Sequence, residues 1–227
     1  MHTYVISLGG SLIVPNGNID SDFLKKFKRF IAGRVRKGDR FVIITGGGGV
    51  AREYQNAARD VTKLTRDDLD WLGIHATRIN AHLLRTIFRD IAHPVICTDP
   101  TEIAASSKYK VKIAAGWKPG WSTDYVATRI AKRLKAELVI NLSNVDYVYD
   151  TDPRKYKDAK KLEAISWKDF RKIVGNKWDP GLSAPFDPVA SRLAHHSGIP
   201  VVVANGKDIK NIGAILRGGK FKGTKIS

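Results

Sequence analysis

The 227-residue sequence contains little cysteine, few acidic residues and no long apolar run. Its single cysteine, Cys97, cannot form an internal disulfide, and its place in an apolar run is typical of a small core residue. No apolar run approaches the roughly 20 residues that a membrane helix needs. The first residues lack the basic start of a secretion signal and are interrupted by Gly9 and Gly10. We therefore expect a soluble cytoplasmic protein.

The shortage of acidic residues gives the chain a strong positive charge. Lysine and arginine number 39 against 22 aspartate and glutamate residues, so the net charge is +17. One interpretation is nucleic-acid binding. The densest basic cluster, however, lies on the polar face of an amphipathic helix predicted from Asp20 to Lys37, which favours a solvated helix face. Such a surface would also attract anionic nucleotides without recognising any one of them.

Strand-like and helix-like segments alternate along the chain. Several strands read as continuous apolar runs, which is typical of strands buried on both faces. The predicted strands are 4–8, 41–45, 94–98, 111–115, 138–143 and 200–204. The predicted helices are 20–37, 67–90, 123–135, 166–174, 188–197 and 208–216, with a short helix after a run of four glycines. This order predicts an α/β fold with a mainly parallel sheet and helices on both faces.

Ligands bind beyond the carboxyl ends of the strands in such sheets. Four predicted loops at that edge are rich in glycine or polar residues: 9–11, 46–52, 116–124 and 144–153. We expect these four loops to converge on one site.

The Gly46–Gly49 run has the form of a phosphate-binding loop. Successive glycine N–H groups can form an anion nest, and the following helix adds its positive N-terminal dipole. Arg52, one turn into that helix, could bind a phosphate with its guanidinium fork. The alternative is a simple tight turn. The run matches neither a Walker A loop nor G-x-G-x-x-G.

The segment Ser122-Thr123-Asp124 opens another predicted helix. An ordinary N-cap explains it, since Ser and Thr favour that position. The functional alternative is a phosphate held at the helix N-terminus, with Asp124 placed to hold a metal or orient a cation. Tryptophans could stack on a base or simply pack; they are Trp71, Trp117 and Trp121.

Several motifs taken together resemble the amino acid kinase family. They are the four glycines, WLGIHATRINAHLL, GWKPGWSTDYVA, NVDYVYDTDPR and FDPVASRLA. Within that family, they are most similar to the archaeal-type branch that phosphorylates UMP with Mg-ATP. The resemblance implies one domain over residues 1–227, folded as a three-layer αβα sandwich around about eight strands, in the manner of carbamate kinase. It also implies an acceptor half (about 1–115), an ATP-binding half (about 116–227) and a hexamer.

The resemblance also implies roles for individual residues. Those around ATP would be Gly9, Gly10, Ser11, Gly48, Arg52, Ser143, Asn144, Tyr149 and Asp152. Those around UMP would be Gly47, Asp70, Trp117, Lys118, Pro119, Gly120, Trp121, Ser122 and Thr123. The catalytic candidates would be Arg52, Asp124, Asp146 and Arg192. Mg²⁺ would be held by ATP oxygens, with no direct protein ligand.

The sequence departs from the family pattern at three positions. Ser7 stands where many members have a lysine, so one cation must come from elsewhere. Tyr147 replaces a glycine, which would cost about 1–2 kcal/mol if the backbone there were left-handed. Gly49 gives a fourth glycine where relatives often have lysine or another residue.

Two other functions remain open. The first is a kinase of the same family with a different acceptor, an amino acid or isopentenyl phosphate; a catalytic histidine for the latter could be His75 or His82. The second is a nucleotide-binding regulator or storage protein without turnover, which Ser7 and Tyr147 would favour.

Overall fold

The computed structural model describes residues 2–153, 155–177 and 184–227, so Arg154 of the NVDYVYDTDPR motif lies outside the described residues. The strands are β1 (Thr3–Leu8), β2 (Arg40–Thr45), β3 (Val111–Ala114), β4 (Leu138–Ser143), β5 (Val148–Tyr149), β6 (Lys161–Leu162), β7 (Ala164–Ile165), β8 (Val201–Asn205) and β9 (Thr224–Ile226). The helices are α1 (Gly10–Ile13), α2 (Ser21–Arg36), α3 (Gly48–Val61), α4 (Arg66–Ile87), α5 (Thr123–Leu134), α6 (Trp167–Val174), α7 (Pro188–His196) and α8 (Ile209–Ile215), with a 3₁₀ turn at Pro15–Gly17.

A seven-stranded sheet with the order β3-β2-β1-β4-β8-β9-β7 forms the centre of the fold. The strands β1, β2, β3, β4 and β8 are mutually parallel, with Ile6 opposite both Ile43 and Ile140. Of the two remaining strands of this sheet, β9 runs antiparallel to its neighbour β8 and β7 runs parallel to β9, while β5 pairs with β6 in a separate two-stranded sheet. The five parallel strands therefore end at one edge, called here the carboxyl edge.

Helices cover both faces of this sheet. On one face, Ile6 and Ile43 pack with apolar side chains of α2, α4 and α8. On the other, Val5 and Val42 pack with those of α5, α6 and α7. Alternate residues of each strand thus enter opposite cores, which is why the strands read as unbroken apolar runs. The predicted three-layer αβα sandwich is confirmed.

Capping residues set where the helices begin. Asp20 accepts a hydrogen bond from the backbone of Phe23 at the start of α2, and Thr65 forms a capping box with Asp68 at the start of α4. None of the described helices is long and apolar enough to cross a membrane.

The predicted strand at 94–98 is wrong. Only Cys97 forms a bridge there, with Ala114, although Ala92 just before it also touches β3. Between these two bridges the Val95 amide donates to the His93 Nδ1 at 3.2 Å and not to β3, so the ladder is interrupted between the bonds from His93 to Val111 and from Cys97 to Ile113. The segment therefore runs along the sheet as an irregular edge.

Candidate active site

Two glycine loops touch each other at the carboxyl edge. Gly9 and Gly10 follow β1, and Gly46 to Gly48 follow β2. A Cβ atom at Gly46 would lie 2.6 Å from the Gly10 nitrogen, and one at Gly10 would lie 2.6 Å from the Gly46 oxygen. Gly48 also has a positive φ of 63°. Side chains are therefore excluded where the loops cross.

Some backbone N–H groups of the glycine loops pair with the strands, and others lie at a helix N-terminus. The amide of Gly46 donates to the Leu8 carbonyl at 2.8 Å, and that of Gly9 donates to the Leu142 carbonyl at 2.8 Å. These two bonds fix the loops to the strands. The first N–H groups of α3, beginning at Gly48, have no intrahelical acceptor. They form the positive end of a 14-residue helix, which is an anion-binding arrangement.

The fourth glycine has a packing explanation. A Cβ atom at Gly49 would lie 3.2 Å from both the Val14 oxygen and the Gly17 nitrogen. The turn after α1 thus packs closely on the first turn of α3, and this contact accounts for a glycine at this departure from the family pattern.

Asn80 of α4 binds the carbonyl groups of the glycine loop after β2, and sequence analysis missed this residue. Its side chain is 3% exposed, and its Nδ2 donates to the Gly46 oxygen at 2.8 Å and to the Gly47 oxygen at 3.3 Å. One turn earlier, the Thr77 hydroxyl accepts from the Gly116 amide at 2.8 Å. In the sequence, two polar residues spaced i, i+3 on the buried face of an amphipathic helix were the signal that could have indicated these contacts.

Asp70 joins α4 to the 117–123 loop. Its Oδ2 accepts a hydrogen bond from the Gly120 amide at 2.7 Å. Burial raises the pKa of Asp70, while the Gly120 hydrogen bond acts in the opposite direction. Arg78 donates to the Trp117 oxygen at 3.0 Å, so α4 holds this loop at two points.

Aromatic rings of the same loop form a stack. The Trp117 and Trp121 ring centroids are 6.1 Å apart, and those of Trp121 and Tyr125 are 4.0 Å apart. The Lys118 ammonium lies 4.3 Å from the Trp117 ring centroid. Trp117 and Trp121 also pack against the core beside α5. Packing therefore explains the presence of Trp117 and Trp121 in this loop. Trp71, on α4, is instead 40% exposed.

Ser122 is the N-cap of α5, as the capping interpretation predicts. Its hydroxyl oxygen accepts from the Tyr125 amide at 3.1 Å. Thr123 is the first residue of the helix and is partly exposed. The N-terminus of α5 thus opens beside the stack.

Asp124 is held between β1 and α7. Its Oδ1 accepts from the Ser7 hydroxyl at 2.9 Å, and its Oδ2 accepts from the Asp187 amide at 3.2 Å. Burial, and then the negative charge of Asp187, raise the pKa of Asp124 to about 7, against the effect of these two hydrogen bonds. Burial also raises the pKa of Asp187, which caps α7. Sequence analysis missed Asp187, although Asp followed by Pro at a helix start was a visible capping signal.

The loops after β4 and β8 form the other side of the carboxyl edge. Asp146 accepts from the Asn205 side chain at 2.9 Å, and the Gly206 amide donates to the Ser143 oxygen at 2.9 Å. Asn144 is exposed. Tyr149 lies in β5 and Asp152 follows it.

Tyr147 introduces no backbone strain. Among the described non-glycine residues, only Asn16 and Lys135 have a positive φ. The cost considered for Tyr147 in place of glycine therefore does not arise. Its ring instead lies 4.9 Å from the Lys161 ammonium.

The two arginine candidates are exposed. Arg52 follows the first turn of α3, and Arg192 lies in the second turn of α7. Neither forms an ion pair within the part of the chain that the structure describes. Ser11 is partly exposed in α1. Both guanidinium groups are thus available to an anion.

The two candidate histidines of α4, His75 and His82, do not face the glycine loops. On α4, Gly73, Thr77 and Asn80 lie toward the glycine loops, whereas His75 and His82 are exposed. Within the described ranges, no three His, Cys, Asp or Glu side chains are grouped as metal ligands.

An αβα sandwich with two crossing glycine loops and a helix N-terminus at its carboxyl edge is an architecture suited to binding phosphate. The model of the amino acid kinase family matches residues 2–205, and the chain belongs to this family.

Relatives match over essentially the whole chain. It is 35% identical to the uridylate kinase of Methanospirillum hungatei, covering 100% of this chain and 95% of that protein. It is 36% identical to the uridylate kinase of Pyrococcus abyssi, covering 98% of each. The crystal structure of uridylate kinase from Archaeoglobus fulgidus superposes with a TM-score of 0.83 at 32% identity and covers 100% of both chains. The UMP kinase of Bacillus anthracis, at 22% identity and a TM-score of 0.80, shares the fold.

Proposed function

We propose that this protein is a UMP kinase, an ATP-dependent phosphotransferase that moves the γ-phosphoryl group of Mg-ATP to UMP and yields UDP and ADP. The observation that carries the proposal is the crossing of the two glycine loops beside the Asp70–Gly120 contact. Gly47 approaches α4 at Gly73, about one turn from Asp70, so the helix N-terminus that would bind an anion would lie near the polar loop. The names of the full-length relatives support the same substrate.

The proposed reaction requires alignment and charge neutralisation. An oxygen of the UMP phosphate attacks the γ-phosphorus, and the bond from that phosphorus to the β,γ-bridging oxygen breaks. The attacking oxygen is already anionic, so no strong base is needed. Arg52 and Arg192 would neutralise charge on the transferring group, and the amides at Gly10 and Gly48 would hold its oxygens.

Asp124 would act by position. Its carboxyl group links Ser7 of β1 to the Asp187 cap of α7, the helix that carries Arg192. Asp124 would thereby orient this cation instead of transferring a proton. Ser7, at the position where many family members carry a lysine, supplies this hydrogen bond but no charge, so the missing cation would come from Arg52 or Arg192.

The carboxyl edge divides into two proposed halves. The acceptor half, about 1–115, would place Gly47 and Asp70 at UMP, together with the loop Trp117, Lys118, Pro119, Gly120, Trp121, Ser122 and Thr123. The ATP half, about 116–227, would contribute Ser143, Asn144, Tyr149 and Asp152 around adenosine and its phosphates. Gly9, Gly10, Ser11 and Gly48 would meet the ATP phosphates between the halves.

Mg²⁺ would arrive with ATP and neutralise its phosphate oxygens. Carboxylate oxygen suits this hard cation. The exposed Asp146, whose Oδ1 is oriented by Asn205, fits an outer-shell contact to its water ligands.

The structure offers less support to the alternatives. For isopentenyl phosphate, His75 and His82 would have to reach the acceptor, but both are exposed on α4 while Asn80 meets the glycine loop. Tyr147 does not support a regulator without turnover, because its backbone has no positive φ and is therefore unstrained. We further propose a cytoplasmic role in pyrimidine nucleotide biosynthesis and a hexameric assembly, which light scattering would test.

The test is ADP release from Mg-ATP by the purified protein. Parallel reactions contain UMP, CMP, dUMP, isopentenyl phosphate or no acceptor. We expect a UMP-dependent rate of at least about 1 s⁻¹. A higher kcat/KM with another acceptor would overturn UMP as substrate, and ATP binding without turnover would favour the regulator.

A matched pair of α3 variants assigns the reaction to this site. Arg52→Gln should lower kcat about 10²-fold or more, because a cation that meets the transferring group acts mainly in the transition state. Arg59→Gln removes the same charge two turns further along α3, where Arg59 donates to the Asn56 side chain. It should leave kcat within about twofold.

A further inference from the structure

An open cavity lies at the amino edge of the sheet, opposite the glycine loops. Its volume is about 570 Å³, and it is lined by Thr3, Arg40 and the segment 105–108. An adjoining cavity of about 40 Å³ extends it to Lys110, Lys112 and the end of α5. Thr3 and Arg40 are the first residues of β1 and β2. The cavity is therefore about 17 Å from the carboxyl edge, five strand residues away.

Positive charge dominates this cavity. Its lining contains Arg40, Lys108, Lys110 and Lys112, and none of the described lining residues is acidic. The four cations form no ion pair in the described ranges. The nearby carboxylates of Asp39 and Glu137 are already paired, with Arg34 and His2 respectively.

Arg40 and Lys112 occupy the same face of neighbouring strands. Val42 is opposite Lys112 in the register of β2 and β3, and Arg40 lies two residues before Val42. The Arg40 Nη1 donates to the Ser107 oxygen at 3.1 Å, whereas its buried Nε has no hydrogen-bond partner among the described residues. Lys112 donates to the Ala104 oxygen. Both side chains thus face the 104–108 segment.

The two cations destabilise each other. Burial, and then the positive charge of Arg40, lower the pKa of Lys112. A partly buried pair of like charges is unfavourable unless an anion joins it. The hydroxyl groups of Ser106 and Ser107 line the same space and add donors. A guanidinium fork, an ammonium group and hydroxyl donors are the groups that bind phosphate.

We propose that this amino-edge cavity is a second binding site for a phosphate-bearing anion with at least two negative charges. It is separate from the catalytic site and independent of which acceptor that site uses. A free polyphosphate and the phosphate group of a nucleotide share the chemistry that would be recognised.

Hydrogen exchange of the segment 103–110 in the full chain tests the proposal. With pyrophosphate at about ten times its dissociation constant, exchange there should slow about tenfold, because the anion must leave before the segment opens. Parallel arms contain ATP, UMP, uridine, and NaCl at matched ionic strength. If ATP or UMP slows exchange at a lower concentration than pyrophosphate does, the ligand of the cavity is a nucleotide. If pyrophosphate slows exchange and the nucleotides do not, the ligand is a free polyphosphate. Uridine and NaCl should give none.

Paired variants locate the effect. Arg40→Gln/Lys112→Gln should abolish the protection, whereas Lys26→Gln/Arg29→Gln removes two exposed charges from α2 and should retain it. If the first double variant does not fold, Lys112→Gln alone should raise the half-protecting pyrophosphate concentration about tenfold. No protection in the unmodified chain, equal protection by NaCl, or protection that survives loss of both Arg40 and Lys112 overturns the proposal.

Discussion

Asp124 has an unusual environment for a carboxyl group at a phosphate site. Ser7 and the Asp187 amide give it two hydrogen bonds, but no cation is paired with it in the described ranges. The second carboxyl group, Asp187, is itself buried and 5% exposed. With the pKa of Asp124 raised to about 7, the protonated carboxyl is the form that the free protein favours below neutral pH.

This raised pKa predicts a pH-dependent stability. The unfolded carboxyl has a pKa of about 3.9, so between about pH 4 and 7 the folded state binds more protons than the unfolded state. Stability is therefore lost as the pH rises through this window. Asp124→Asn cannot ionise, so its stability relative to the unmodified protein should rise by about 1–3 kcal/mol between pH 4 and pH 8.

Urea unfolding at the two pH values measures the effect. Asp22→Asn, at an exposed residue paired with Lys25, is the control and should change by no more than about 0.5 kcal/mol at either pH. A stability difference for Asp124→Asn that is the same at pH 4 and pH 8 would contradict the raised pKa. Reduced kcat in the same variant would show the exchange of stability for activity that functional sites display.

Among individual residues, those whose side chains bind backbone groups were the hardest to predict from the sequence. The residue types of Gly46 to Gly49, Ser122 and Asp124 suggest chemistry, and the structure brings them to one edge. Asn80 was missed because a helical pattern predicts which face is buried, but not which carbonyl oxygens an inward amide will meet. Its partners, Gly46 and Gly47, are more than 30 residues away in the chain.

At the scale of elements, the two glycine loops make a prediction about backbone approach. Gly10→Ala places a Cβ atom 2.6 Å from the Gly46 oxygen, so the loops must separate. We expect it to destabilise the protein by at least about 2 kcal/mol and to abolish turnover. Gly33→Ala, near the end of α2, meets nothing closer than 3.8 Å and should stabilise by about 0.5–1 kcal/mol.

Thermal unfolding and the ADP assay together check this pair. If Gly10→Ala unfolds outright, a similar loss in Gly48→Ala, where φ is 63°, would support the crossing. Equal stability of Gly10→Ala and Gly33→Ala would show that the loops do not touch in solution.

Long periodic elements were predictable, and short paired ones were not. The helix predicted from Asp20 to Lys37 is Ser21–Arg36, and the strand predicted at 138–143 is Leu138–Ser143. By contrast, β5, β6 and β7 have two residues each, which is too short for a periodic signal. β9 was also missed, because its three residues follow a polar, glycine-rich segment and its pairing with β8 and β7 is what defines them as a strand.

At the scale of the whole molecule, the sheet has glycine-rich loops at one edge and a group of basic side chains at the other. The carboxyl edge collects glycine loops and helix N-termini, and the amino edge collects Arg40, Lys110 and Lys112. The net charge of +17 therefore includes a local concentration at the edge remote from the glycine loops. Composition alone could not locate it, because its members come from two separate strands and the loop before β3.

The two-half organisation predicts a separation of kinetic effects. Asp70→Asn keeps an acceptor for the Gly120 amide but replaces the charged acceptor that would bind a ribose hydroxyl of UMP, so it should raise the KM for UMP about tenfold, a loss of about 1.4 kcal/mol. Its KM for ATP should stay within about twofold. Asp146→Asn, beside Asn205 on the other half, should show the reverse pattern. Initial rates with each substrate varied at saturation of the other measure both constants. Equal shifts of both constants in either variant would show that the two substrates do not occupy separate halves of the carboxyl edge.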